Sequence, residues 1–200
     1  MKQLLYIFVS VVLFTACSTT YPPYSSYDIE LKSSAVVKKA KACSKETLRV
    51  DNVSTSQPLM STKMYYVSGV ESYSYTVSEW SERPSEFITE AFITALQKSN
   101  VFCNVISADS KAKSHYLLES RVDTFMQYYD EAQTKSYAKI SVSFFLVDTK
   151  TQEIVAHMHF EKEEPCESLD AKGGVKALKK LLQEASNALA LWIAGEECKE

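Results

Sequence analysis

The residue types able to carry chemistry are few, and their spacing decides most of what they can do. His157 and His159 stand two apart in a segment that alternates apolar and polar residues, so both rings leave one face of a strand. Two imidazoles so placed can hold a divalent metal when further ligands join them. The remaining histidine, His115, is distant in sequence, and no nearby Asp or Cys completes a ligand spacing. No metal site is therefore expected, and the pair is placed on an outer, polar sheet face with Ser141 and Ser143. A serine hydrolase needs its nucleophile on a sharp Gly-lined turn beside an oxyanion pocket. The four glycines, at 69, 173, 174 and 195, form no G-x-S-x-G elbow, so no catalytic residue is assigned. Gly173-Gly174 could cradle an anion at a helix N-terminus, but no Lys-Ser/Thr pair completes a phosphate loop. It is expected to be a flexible joint, and no cofactor is expected.

The five cysteines divide into one and four. Lys2, the 11-residue apolar stretch Leu4 to Phe14 broken only by Ser10, and Thr15-Ala16-Cys17 form a secretory signal. The stretch is too short to span a bilayer permanently, which takes about 20 apolar residues. Leu13-Phe14-Thr15-Ala16-Cys17 resembles a bacterial lipobox, in which small residues before a cysteine permit cleavage and leave that cysteine lipidated. Residues 1–16 are then a signal peptide and Cys17 the lipidation site. Ser18 after it, rather than Asp, fits sorting to the outer membrane. Residues 17–26 have no apolar period and contain two prolines, and form a lipidated N-terminus and flexible tether. Residues 27–200 are expected to form a single periplasmic domain.

Cys43, Cys103, Cys166 and Cys198 are an even number in an exported chain, so they are possible disulfide partners. Cys166 and Cys198 flank a long predicted helix, whereas a disulfide needs Cα atoms within about 7 Å. That pairing, and with it Cys43–Cys103, is disfavoured; the other pairings and free thiols stay open.

Of 200 residues, 46% are apolar, with only 4 Gly and 5 Pro, which excludes disorder across the whole chain. The net charge is −3 and basic residues form no stripe, so nucleic acid is not an expected partner. Met64 to Val67, a Ser68-Gly69 turn, and Tyr73, Tyr75 and Val77 alternating with Ser and Thr predict a hairpin with one aromatic and one hydroxyl face. Pro84 is placed to open a helix, in which Phe87, Ile88, Ala91, Phe92, Ala95 and Leu96 form the buried face and Asn100 the stop. In the segment 116–129, Leu118, Val122, Met126 and Tyr128 are expected to share one parity. With the alternating runs 138–146 and 154–160, it predicts a three-strand antiparallel meander. Val175, Leu178, Leu182, Ala185, Leu189 and Trp192 predict a final amphipathic helix of about six turns ending near Gly195. The fold class is α+β: a twisted, mainly antiparallel sheet with two long helices packed on one face.

The stretch Tyr75-Thr76-Val77-Ser78-Glu79-Trp80-Ser81-Glu82-Arg83-Pro84, the helix to Leu96, Tyr116-Leu117-Leu118, the strands 138–148 and 155–160, Pro165 and the closing Leu191-Trp192 resemble the ABC-type transport auxiliary lipoprotein family, its PqiC-like group. Tyr75, Trp80, Pro84 and Trp192 are the positions carrying that pattern. The resemblance implies an outer-membrane lipoprotein facing the periplasm, without catalytic residues. It implies an MCE-domain protein and an ABC permease and ATPase as partners in moving lipids between membranes, and admits a ring of identical subunits. The alternative is a structural or assembly-factor lipoprotein of the outer membrane without a transporter; a periplasmic hydrolase would require loss of activity on changing Ser141, Ser143 or His157.

Overall fold

A computed structural model describes residues 23–31 and 43–195; Cys17, Cys198 and the signal peptide lie outside the described residues. The strands are β1 (Ser25–Tyr27), β2 (Cys43–Val50), β3 (Ser54–Thr55), β4 (Lys63–Ser68), β5 (Glu71–Trp80), β6 (Phe102–Ser107), β7 (Tyr116–Tyr129), β8 (Ser136–Asp148) and β9 (Ile154–Pro165). The helices are α1 (Pro84–Ser99) and α2 (Ala171–Gly195). β1 takes in Ser25 and Ser26, which the sequence places in the tether.

The expected meander is present: β7 pairs antiparallel with β8, and β8 with β9. Polar and apolar residues alternate along it, so one face is apolar and needs a cover. α1 and α2 supply that cover. Pro84 occupies the first turn of α1, and Asn100 ends it in the left-handed conformation at φ 54°. All six residues expected on the inner face of α1 are buried. α2 is 25 residues long, about 37 Å, and buries Val175, Leu178, Leu182, Ala185 and Leu189 as its spacing predicts. Trp192 is only partly buried against the core, and Leu181 and Ile193 carry the stripe beside it. The central contact is Phe92 of α1 edge-on to Phe144 of β8, with ring centres 5.0 Å apart.

Two features depart from the local pattern. First, β7 carries β2, β3 and β4 in tandem along its other edge, all parallel to it, and β1 is parallel to β5. β6 pairs parallel with β2. The sheet is thus mixed, although its long ladders are antiparallel. Second, the register of β7 against β8 shifts between Val122 and Thr124, leaving Asp123 as an extra residue. A single inserted residue reverses every side chain beyond it. Leu118 and Val122 therefore face the helices as expected, but Phe125 and Gln127 are buried in place of Met126 and Tyr128. Tyr128 stacks instead on Tyr137 of the neighbouring strand, at 5.3 Å and 11°.

Candidate functional site

Of the residues that carry the sequence pattern, Tyr75 and Trp80 lie on β5 and Pro84 just beyond it, whereas Trp192 lies near the end of α2. At the C-terminal end of β5 Trp80 is buried, with its ring centre 5.4 Å from Phe87 of α1 and 6.3 Å from Phe125 of β7. Its backbone N–H donates to the Thr62 carbonyl at 2.8 Å. Pro84, four residues on, is itself buried, so Trp80 and Pro84 together set the corner at which the strand becomes α1. Tyr75 belongs to a polar cluster nearer the hairpin. Its hydroxyl lies 2.9 Å from Gln127 Oε1 and 2.7 Å from the Tyr129 hydroxyl. Gln127 Nε2 donates to Ser136 Oγ at 3.0 Å, and Tyr129 donates to the Leu169 carbonyl at 2.6 Å. Burial, reinforced by Tyr129, raises the Tyr75 hydroxyl well above the ordinary phenol range, so it remains protonated and acts as a hydrogen-bonding strut. Tyr66 packs over this group, 4.8 Å from Tyr75 and 5.2 Å from Tyr129.

The start of α2 closes the cluster and corrects the expectation of a flexible joint. Gly173 and Gly174 are buried inside its first turn. A Cβ on Gly174 would stand 2.0 Å from Gln127 Oε1, and one on Gly173 would stand 2.3 Å from the Ser168 carbonyl oxygen. Both glycines are there because backbone packs directly on neighbouring groups. Nor is the helix end open to an anion: Asp170 Oδ1 accepts from the Gly173 N–H at 2.9 Å. The Ser168 hydroxyl and that N–H hold the Asp170 carboxyl below its ordinary range. Sequence reasoning passed over Gln127, Ser136 and Asp170. The signals were Asp three residues before Gly173 and a Phe125 out of step with its strand.

On the opposite face of the meander, His157 and His159 are exposed together, as their spacing requires. His159 Nδ1 lies 3.0 Å from Ser143 Oγ. Glu161 Oε2 is 3.8 Å from His159 Nε2, too long for a hydrogen bond, and pairs instead with Lys139 at 2.8 Å through its other oxygen. A Ser, a His and a Glu thus stand in one row, but on a flat, solvated ladder. No described cavity includes any of the three. Hydrolysis needs donors aimed at a developing oxyanion, and none of these contacts supplies one. Among the described residues no group of three or more His, Cys, Asp or Glu could hold a metal.

Cys103 is an exposed free thiol, and Cys166 a half-buried one whose pKa burial raises. They are not bonded to each other. The backbone of Cys43 pairs with that of Phe102, so the ladder brings Cys43 beside the residue preceding Cys103. Helix α2 lies between Cys166 and the chain end that carries Cys198.

Between α1 and the segment that follows β1 lies a cleft of about 280 Å³ lined by Ile29, Phe87 and Ala91, with Asp28, Glu30, Glu82 and Glu90 around it. Burial first, then the neighbouring carboxylates Asp28, Glu86 and Glu90, raise the Glu82 pKa. Among the described residues no helix is long and apolar enough to cross a membrane.

The arrangement is that of a packed scaffold in which Tyr75, Gln127, Tyr129 and Ser136 satisfy one another. Among solved structures, the chain is similar to a protein from Xanthomonas campestris at TM-score 0.74 and 18% identity, covering 86% of this chain and 94% of that one. A second crystal structure, of an uncharacterised protein, matches at TM-score 0.66 and 16% identity, covering 86% and 99%. A PelC dodecamer from Paraburkholderia phytofirmans matches at TM-score 0.47 and 12% identity, covering 76% and 93%. No curated protein matches. At these identities the structural likeness speaks to the fold alone. Residues 27–190, however, match the family described as the ABC-type transport auxiliary lipoprotein component, a span that takes in Tyr75, Trp80 and Pro84 and ends just short of Trp192. The chain belongs to that family.

Proposed function

We propose that this protein is the outer-membrane-anchored, periplasm-facing and non-catalytic auxiliary component of an MCE-type ABC system that moves lipid between the inner and outer membranes. The observation that carries the reading is the family match over residues 27–190, with the lipobox-like stretch Leu13–Cys17 ahead of it in the sequence. Acyl chains on Cys17 would anchor the domain at about 0.8 kcal/mol per buried methylene, so several chains hold it where one would exchange. The domain's part is docking: energy comes from the ATPase partner, and the MCE-domain protein is what the domain meets. The cluster of Tyr75, Gln127, Tyr129 and Ser136 favours this over catalysis, because its polar groups are consumed in holding the fold together.

The test is a mild-detergent pull-down of the tagged full-length protein from its own cells, read by mass spectrometry. An MCE-domain protein and an ABC permease are expected to co-purify. Their reproducible absence, with an outer-membrane barrel in their place, would replace the transport reading with that of an assembly factor.

A further inference from the structure

We propose that the tip of the β4–β5 hairpin, Gly69–Val70, is a second membrane contact, seated in the headgroup region of the bilayer that holds the lipid anchor. The proposal rests on the reading of Cys17 as the lipidated residue.

The argument begins with direction. β1 runs parallel to β5, with Ser25 opposite Ser78 and Tyr27 opposite Trp80. The chain preceding β1 therefore leaves the domain on the side of the β5 N-terminus, which is the hairpin tip. Length follows. Pro23, the first described residue, is six residues from Cys17, a reach of about 20 Å when fully extended. In the same register Pro23 is level with Thr76, and Thr76 is six residues from Val70, about 20 Å of strand. The tether thus reaches the level of the tip and no farther. When the hairpin points at the bilayer, Cys17 can enter the lipid only with Val70 at the surface.

The chemistry of the tip matches that position. Gly69 sits at φ 62° and makes the two-residue turn, and a polar residue is usual beside it. Here it is Val70, 101% exposed. Tyr73, 41% exposed, stacks on Tyr66 just behind the tip at 5.5 Å, and tyrosine rings suit the boundary between headgroups and acyl chains. The turn between β7 and β8 lies at the same end, where Gln133 Nε2 donates to Ser68 Oγ at 3.3 Å, and so does the half-exposed Leu169 after β9. Glu71, Asp130 and Glu131 outnumber Lys135 there, so attraction to anionic lipid does not drive the contact. The matching surface is zwitterionic.

The test uses the full mature protein, first checked by intact mass for a diacylglyceryl group on Cys17, in phosphatidylethanolamine–phosphatidylcholine vesicles carrying brominated phosphatidylcholine. Val70→Trp is compared with Leu191→Trp, an exposed position at the opposite end of the domain, each after subtraction of the wild-type signal. Quenching of the added fluorescence is expected to be at least threefold greater for Val70→Trp. Equal quenching, with the protein still floating with the vesicles, overturns the hairpin contact and leaves the anchor standing. A protein with no lipid mass that fails to float overturns both.

Discussion

The two faces of the β7–β8–β9 meander are built from alternate residues of the same strands, yet they do different work. Towards the helices, Ile140, Val142 and Phe144 are completely buried, and the polar Gln127 on the same face has its partners in Tyr75, Tyr129 and Ser136. Away from them, Lys139 pairs with Glu161 and Glu163, His159 with Ser143, and Tyr128 with Tyr137, all at least partly in water. Buried apolar area stabilises in proportion to what is removed from water, whereas exposed pairs gain little after screening. The inner face therefore holds the fold, and the outer face is free to vary without unfolding it.

Adjacent phenylalanines put that contrast to its hardest test. Phe144→Ala removes a ring packed on Phe92 and should cost about 3–5 kcal/mol, read from the urea midpoint. Phe145→Ala, one residue along and facing outward, should cost about 1 kcal/mol, the scale of a cross-strand contact. Equal losses would abolish the distinction between faces.

A finer probe is Gly174→Ala, whose new methyl would overlap Gln127 Oε1; it should destabilise by about 1–3 kcal/mol. In a Gln127→Ala background the same change should cost measurably less, because the atom it strikes is gone. Additivity in the double-mutant cycle would mean that helix and strand do not meet as closely as described.

The smallest effect belongs to the helix end. Asp170→Ala should cost about 1 kcal/mol at neutral pH, through loss of the bond to the Gly173 N–H. The folded pKa of Asp170 lies below its ordinary value of 3.8, so the stabilisation is complete above that value and is lost as pH falls through the folded one. The gap between wild type and Asp170→Ala should accordingly narrow in urea titrations carried down to pH 3; a gap that held constant would assign it to something other than the carboxylate.

What could be read in advance follows the range of the interactions. α1 and α2 announce themselves because a helix closes its hydrogen bonds within four residues and its buried stripe recurs every three or four. The meander is legible for the same reason, since its partners are neighbours in sequence. The attachment of β2, β3 and β4 to one edge of β7 is not, because parallel pairs join segments dozens of residues apart and leave no turn to mark them. The bulge at Asp123 was hidden by its effect: a strand that changes parity midway mimics a weaker strand with a continuous one. Trp80 and Pro84 were recognisable as a corner, whereas the Gln127 cluster was not, since its members come from β5, β7, β8 and the loop before α2.

The tandem loading of β7 has a consequence for the order in which the molecule assembles. A nascent chain emerges N-terminus first, so β2 and β3 appear well before residues 116–129, the strand against which both are laid. Until then their edges have no permanent mate, and the entropy of closing so long a loop must be met before the pairing returns anything. The meander, by contrast, can zip from its own turns. Contacts between the N-terminal strands and β7 are thus late arrivals, and weakening them should hasten unfolding far more than it slows folding.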